Sequence, residues 1–197
     1  MNLELLVAVA LFSFVTSVTP GPNNTFLLTS GANFGVRKSL PYVNGIMLGL
    51  SAMMIAIGAG LGLVFTAFPV IYQILKFVGF AYIAYIAWQI IRSTSKNDSA
   101  EAIYMGMWKS FVFQFANPKA WIVIASFMAS FVPLHQGLLI SLFTCVIFLV
   151  FTYPGAVIWA IFGQGLKTWL ANPQRRRVFN IVAAVVLVAT MVPVLFI

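Results

Sequence analysis

The sequence predicts an all-α polytopic membrane protein with six transmembrane helices arranged as two inverted three-helix repeats. Its 197 residues are 62% hydrophobic and only 7% charged, whereas soluble domains carry about 25% charged residues. A spanning helix needs about 20 apolar residues, and the chain contains about six runs of that length. Prolines interrupt the first and the fourth run, so a similar break recurs in each half of the chain.

The runs form two blocks of three, at residues 1–91 and 108–197, joined by a polar linker at residues 92–107. The expected spans are residues 3–31, 40–67, 70–91, 108–132, 138–165 and 178–197. We expect a loop at residues 33–38 and an interruption of the fifth span at Tyr153-Pro154-Gly155. Because each block has an odd number of spans, the second enters the membrane from the opposite side. Such inverted repeats are typical of secondary transporters.

The first break lies at Pro20-Gly21-Pro22 and is followed directly by Asn23 and Asn24. Each proline removes a backbone N–H and clashes with the carbonyl four residues earlier, so the helix cannot continue. A freed carbonyl in hydrocarbon is costly unless it is paired, and broken backbone is tolerated mainly where it lines a cavity. The two asparagines offer donors and acceptors there. The segment is therefore predicted to form half of a binding site for a small polar solute.

The second break lies at Asn117-Pro118-Lys119 and supplies the other half. Gln114 precedes Asn117 by one helical turn and shares its face. Lys119 is a cation inside an apolar run, which is costly and typical of functional residues. Its expected partner is a substrate carboxylate or a freed carbonyl. The alternative is that its side chain extends to the cytoplasmic interface.

The chemistry of the two breaks favours a zwitterionic substrate. The helix that resumes after Pro22 presents free N–H groups to a carboxylate, and the freed carbonyls before it could hold an ammonium. Glu4, at the outer edge of the first span, is the only acidic residue in any span, which disfavours a cationic substrate. The candidate substrate-binding residues are Pro20, Gly21, Pro22, Asn23, Asn24, Gln114, Asn117, Pro118 and Lys119.

Glycine spacing indicates close helix packing. Gly45 and Gly49 form one GxxxG pair and Gly58 and Gly62 another. Such pairs let helices approach closely, either within one chain or, alternatively, in a homodimer. Two tyrosines, Tyr82 and Tyr153, are weaker site candidates, with aromatic packing as the alternative.

Other function classes lack their signatures. The single Cys145 and the single His135 cannot build a typical zinc site, and no cofactor is expected. The sequence contains no P-loop, zinc-protease or serine-hydrolase motif, so an enzyme is disfavoured. The net charge of +8 is scattered between apolar runs, which indicates positive-inside loops rather than a nucleic-acid partner.

Lysine and arginine predict the orientation. The odd-numbered loops and the span ends beside them carry nine of the eleven lysines and arginines: Arg37, Lys38, Arg92, Lys96, Lys109, Lys167, Arg175, Arg176 and Arg177. The even-numbered loops carry none, although Lys76 lies near the second. Because positive loops face the cytoplasm, both termini are predicted to be periplasmic.

Three motifs resemble those of the LysE/RhtB amino-acid exporters. Thr19-Pro20-Gly21-Pro22-Asn23-Asn24 resembles the TPGP signature of that family, Gly79-Phe80-Ala81-Tyr82-Ile83 its G-x-A-Y-L segment, and Asn117-Pro118-Lys119 its N-P-K signature. The resemblance extends over the whole chain in length, span count and linker. The doubled asparagine is most similar to the branch that exports cysteine and O-acetylserine. The lysine-exporting branch carries acidic residues in its membrane region that this sequence lacks.

The resemblance implies a multi-pass protein of the bacterial inner membrane that exports amino acids, driven by proton or other ion gradients. The expected substrates are small neutral amino acids or derivatives of the cysteine, O-acetylserine, threonine or homoserine class. Export of another small polar solute is the alternative, as is a membrane assembly protein without transport activity.

Overall fold

All regular structure in this computed structural model is helical over the residues it describes, which are 3–61, 67, 69–92, 104–132, 138–190 and 192. The α-helices are α1 (Leu3–Val18), α2 (Pro22–Phe34), α3 (Val36–Ala56), α4 (Pro69–Arg92), α5 (Met107–Ala116), α6 (Pro118–Phe131), α7 (Leu138–Gly165) and α8 (Pro173–Ala189). A π-helix at Ile57–Leu61 extends α3, and a 3-10 helix at Trp169–Ala171 precedes α8.

The two predicted breaks are confirmed. Helices α1 and α2 bend by 62° at their junction, and α5 and α6 bend by 75°. Pro22 is the first residue of α2 and Pro118 the first of α6. A proline suits this position because the first N–H of a helix has no intrahelical acceptor to lose. Each proline therefore ends one helix and starts the next.

Helix length and composition support between two and four membrane spans among the described residues. Residues 36–60 and α7 are each long and apolar enough to cross a bilayer, and each bent pair passes the same test when counted as one span. Helix α4 contains a shorter apolar stretch at residues 77–92. Large apolar side chains on α1, α4, α7 and α8 point outward, among them Val150 and Leu139, which is 82% exposed. Such a surface suits lipid rather than water.

The prediction of a loop at residues 33–38 was wrong. Helix α2 continues to Phe34 and α3 begins at Val36, so Gly35 alone separates them. Gly35 has φ 83°, a left-handed conformation that glycine adopts without strain. The Gln164 side-chain oxygen accepts from the Val36 N–H at 2.7 Å and ties this corner to α7. A single glycine thus connects the two helices where a six-residue loop was expected.

Two further expectations about the second block were also wrong. Helix α7 passes through Pro154 without a break; a proline inside a helix removes one hydrogen bond but need not end the helix when packing supports both sides. Helix α8 begins at Pro173 rather than at residue 178. Asn172 caps α8 by accepting from the N–H groups of Gln174 and Arg175, so the arginine cluster lies within the helix. Residues 93–103 of the linker, together with His135, lie outside the described residues.

Each block packs its broken span against the long helix of the other block. Helices α1 and α2 lie along α7, α5 and α6 contact α3, and α4 packs on α8. Glycines set the closest approaches: a Cβ on Gly31 would overlap the backbone of Ala160, and one on Gly163 would overlap that of Leu28. Small residues let helix backbones approach in this way.

The first GxxxG pair is used inside the chain. A Cβ on Gly45 would collide with Ser110 and one on Gly49 with Gln114, both on α5. This favours the intrachain interpretation of the pair. Gly62 of the second pair lies outside the described residues.

Two aromatic clusters flank the breaks. Phe12, Phe127 and Phe148 join α1, α6 and α7, with ring centroids of Phe127 and Phe148 only 4.4 Å apart. Phe26, Tyr42 and Phe113 join α2, α3 and α5, with 5.3 Å between Phe26 and Phe113. Five of these six residues are fully buried, so the clusters hold both bent spans in place.

Candidate functional site

A cavity of about 60 Å³ lies where the two broken spans meet. One water needs roughly 10–15 Å³ of such volume, so the space suits a small solute. Both breaks, α1, α3 and α7 contribute its walls. The lining residues are Thr16, Ser17, Gly21, Pro22, Asn23, Asn24, Ile46, Leu50, Asn117, Lys119, Ala120, Val123, Phe148, Thr152 and Ala156. Six of the nine sequence-predicted site residues are among them; Pro20, Gln114 and Pro118 are not.

Lys119 closes the first break from the opposite half of the chain. Its ammonium donates to the carbonyl oxygens of Thr19 at 2.7 Å and Pro20 at 2.9 Å. Of the two partners expected for Lys119, a substrate carboxylate or a freed carbonyl, the structure shows the carbonyls. A cation is favoured at the C-terminal end of a helix, and these carbonyls follow α1 directly. Two of the three ammonium hydrogens are thereby used.

Asn24 pairs one further carbonyl at the end of α1, that of Ser17, and shares the Thr19 carbonyl with Lys119. Its side-chain nitrogen donates to Ser17 O and Thr19 O, both at 2.7 Å. Two carbonyl acceptors fix the amide orientation, so Oδ1 faces away from them. The freed carbonyls of Ser17, Thr19 and Pro20, which were expected to be available to a substrate ammonium, accept from Asn24 and Lys119 in this structure.

Gly21 provides the room in which Lys119 lies. Its backbone is extended, with φ 177° and ψ 179°, so any residue could adopt it. A Cβ there, however, would lie 2.7 Å from Cδ of Lys119 and 2.9 Å from Nζ. The glycine is needed for the space it leaves rather than for its backbone freedom.

A reciprocal amide pair joins the two breaks on the other side of the cavity. Asn23 Nδ2 donates to Gln114 Oε1 at 2.8 Å, and Gln114 Nε2 donates to Asn23 Oδ1 at 3.1 Å. Gln114 Nε2 also donates to Ser110 O at 3.0 Å, which fixes its amide orientation. Tyr42 donates to Asn23 Oδ1 at 3.2 Å. Gln114 is fully buried, so it positions Asn23 rather than lining the cavity.

The two helices that begin at the breaks differ in how their first N–H groups are satisfied. In α6, Asn117 Oδ1 accepts from Lys119 N at 3.2 Å and Asn117 O from Ala120 N at 3.0 Å. In α2, the first backbone bond is Thr25 N to Gly21 O. The N–H groups of Asn23 and Asn24 have no acceptor among the described residues. The start of α2 is therefore the end that remains open to an anion.

The remaining candidates take structural positions. Pro118 is buried behind the cap of α6, and Pro20 is exposed and contributes its carbonyl oxygen to the Lys119 ammonium. Tyr82 packs its ring against Phe113 at 5.9 Å, and the Tyr153 hydroxyl donates to Asn44 at 3.2 Å. Neither tyrosine lines the cavity, which favours the packing interpretation of both.

Three polar cavity residues were not anticipated from the sequence. Thr16 and Ser17 lie on the last turn of α1, where their hydroxyls donate back to helix carbonyls. Thr152 lies on α7. Thr16 and Ser17 lie just before the first break, whereas Thr152 is far from both breaks in the sequence. None of the three gave a signal, because isolated Ser and Thr are common in apolar helices. Only the packing of α7 onto α1 and α2 brings them together.

Comparison with known proteins gives a consistent result. The family model of the LysE type translocator matches residues 14–195. The cysteine/O-acetylserine efflux protein of Escherichia coli (strain K12) is 32% identical over 198 residues, covering 100% of both chains. The protein of that name from Shigella flexneri is 32% identical over 194 residues, covering 98% of both. No solved structure matches the chain significantly.

Proposed function

The chain belongs to the LysE type translocator family, and on that premise we propose that it exports small neutral amino acids or their derivatives as a secondary transporter. Family membership and the apolar helices make it a multi-pass membrane transporter of the inner membrane and not an enzyme. The proposed substrates are cysteine, O-acetylserine, threonine or homoserine. Full-length similarity to proteins named for cysteine and O-acetylserine efflux supports this class.

The observation that carries the proposal is the open start of α2 beside a lysine. The N–H groups of Asn23 and Asn24 have no acceptor in the described chain, and Lys119 keeps one ammonium hydrogen beyond the two it donates. A carboxylate in the cavity would accept from all three. Charge-assisted bonds of this kind are the strong ones.

The substrate ammonium needs an acceptor at the same place. Asn24 Oδ1 receives no hydrogen bond from any described residue, while its nitrogen is held by two carbonyls. We assign the ammonium to this oxygen. The absence of an acidic side chain from the lining residues then explains a preference for a net-neutral zwitterion.

The six-span inverted repeat is part of the proposal, with residues 1–91 and 108–197 as its halves. In this repeat, helices α1 to α4 correspond in order to α5 to α8. The helices of the first aromatic cluster, α1, α6 and α7, then correspond to α5, α2 and α3, which form the second cluster. The same correspondence relates the packing of α1 on α7 to that of α5 on α3. Positive charge near α3, α5 and α8 supports a cytoplasmic linker and periplasmic termini.

The same symmetry relates two links across the breaks. Lys119 of α6 holds the end of α1, and Asn23 of α2 holds the end of α5 through Gln114. In the proposed topology the lysine link lies on the periplasmic side of the cavity and the amide link on the cytoplasmic side. Alternating access then requires one link to open while the other stays closed. An ion gradient supplies the driving force.

The experiment is transport into reconstituted liposomes with a panel of labelled amino acids, with and without an imposed pH gradient. Gradient-stimulated movement of cysteine, O-acetylserine, threonine or homoserine would support the proposal and identify the coupling ion. Folded protein that moves no amino acid would overturn it and leave another polar solute or an assembly role.

A further inference from the structure

The hydroxyl of Thr152 is buried in the wall of the cavity and has no hydrogen-bond partner among the residues that the structure describes. The side chain is only 6% exposed, and no described residue donates to Oγ1 or accepts from it. Burial of an unpaired hydroxyl costs free energy that a protein normally avoids. Because this unpaired hydroxyl lies in a cavity wall, a molecule bound in the cavity could be its hydrogen-bond partner.

Neighbouring hydroxyls show that the helix offers an easy alternative. Thr144, two turns earlier on α7, donates to Ile140 O at 2.8 Å, and Thr16 on α1 donates to Phe12 O at 2.7 Å. Such bonds to the carbonyl four residues back are the common solution for Ser and Thr in apolar helices. Thr152 does not make one, so its hydroxyl stays available.

The position of Thr152 separates it from the groups assigned to the substrate backbone. Those groups belong to the two breaks, whereas Thr152 lies on α7 between Phe148 and Ala156, which also line the cavity. Ile46, Leu50 and Val123 complete this apolar part of the wall. Outside α1 and the breaks, Thr152 is the one polar residue among the cavity-lining residues that the structure describes.

We propose that Thr152 is a specificity-determining residue that hydrogen-bonds a polar atom on the substrate side chain. This inference depends on the proposed function and narrows the substrate class. A hydroxyl both donates and accepts, so it recognises a substrate hydroxyl or thiol two or three bonds from the α-carbon, or an ester carbonyl oxygen four bonds from it. The surrounding apolar wall accommodates the carbon atoms of that side chain but leaves a charged group unpaired.

The test compares substrates that differ in one polar atom. Threonine against valine and homoserine against norvaline are measured as inhibitors of labelled substrate in liposomes containing wild type, Thr152→Val or Thr152→Ser. The preference for the polar member should fall about 3- to 10-fold in Thr152→Val, the value of one net hydrogen bond, and persist in Thr152→Ser. Thr144→Val is the matched control on the same helix and should leave both preferences unchanged.

Stability provides the second readout. Thr152→Val removes an unpaired buried hydroxyl at constant volume, so its unfolding temperature should equal or exceed that of wild type. A lower unfolding temperature would show that the hydroxyl has a structural partner and would overturn the inference. An equal loss for polar and apolar inhibitors would overturn it too. Failure of wild type to transport any amino acid would instead refute the proposed function.

Discussion

The ammonium of Lys119 donates to the carbonyl oxygen of Thr19 at 2.7 Å across 100 residues of sequence. One half of the chain thus supplies the cation that caps a broken helix of the other half. Lys119 is the second residue of α6, where the dipole of its own helix disfavours a positive charge. The carbonyls at the end of α1 offset this unfavourable interaction by accepting from the ammonium, so each break depends on the other.

Removal of the lysine should impair both stability and transport. Lys119→Met leaves the Pro20 carbonyl without its donor and the Thr19 carbonyl with Asn24 alone, and each lost hydrogen bond costs about 0.5–1.5 kcal/mol. We expect a lower unfolding temperature in detergent and transport reduced by at least about tenfold, the equivalent of 1.4 kcal/mol. Lys109→Met is the matched control, because Lys109 is exposed at the start of α5. Equal behaviour of the two variants would contradict the role of Lys119.

Gly21→Ala should act through Lys119. The added Cβ would lie 2.7 Å from Cδ of the lysine and displace it, although the backbone tolerates alanine. Transport should fall. The double variant with Lys119→Met should transport no more slowly than Lys119→Met alone, because both changes break the same contact between Lys119 and the end of α1. Gly165→Ala is the control, because its Cβ would meet nothing within 4 Å. Additive losses in the double variant would show that Gly21 acts independently.

The amide link should give a measurable coupling energy. Asn23→Ala, Gln114→Ala and the double variant form a cycle whose expected coupling is about 0.5–3 kcal/mol in unfolding free energy, because two reciprocal hydrogen bonds join these side chains. Ser51→Ala paired with Gln114→Ala is the control pair, since Ser51 donates to its own helix. A coupling energy near zero for Asn23 and Gln114 would show that their hydrogen bonds do not stabilise the fold.

Asn117 should have two separable roles. Its Oδ1 caps α6, and its side chain lines the cavity. Asn117→Ala should lose transport and about 0.5–2 kcal/mol of stability, as helix caps do. Asn117→Ser keeps a capping oxygen, so it should retain stability while transport still falls. Wild-type transport by Asn117→Ser would show that the residue serves the helix alone.

Much of this arrangement could be predicted from the sequence because proline chemistry is local. Pro22 and Pro118 must start a helix or end one, and both do. The same locality misled at Pro154, where α7 stays continuous and packs against α1, α2 and α3. At Gly35 the apolar pattern gave no sign that one left-handed residue would replace a loop.

Tertiary partners were beyond the reach of sequence patterns. Lys119 had two expected partners and an alternative position at the interface, and only the crossing of the two breaks selects the carbonyls of Thr19 and Pro20. Gln114 was expected in the site, but its pairing with Asn23 places it behind the cavity wall. Thr152 gave no signal at all, because its position at the site depends on how α7 packs against the broken span.

The central claim is that the cavity binds an amino acid by both of its charged groups, and ligand-dependent unfolding tests it most directly. Purified protein is heated with cysteine, with cysteamine, which lacks the carboxylate, and with 3-mercaptopropionate, which lacks the ammonium. A ligand at 100 times its Kd stabilises by about 2.7 kcal/mol. We predict that cysteine raises the unfolding temperature of wild type, that neither analogue does, and that Lys119→Met abolishes the effect. Equal protection by cysteamine and cysteine, or protection that survives in Lys119→Met, would contradict the account.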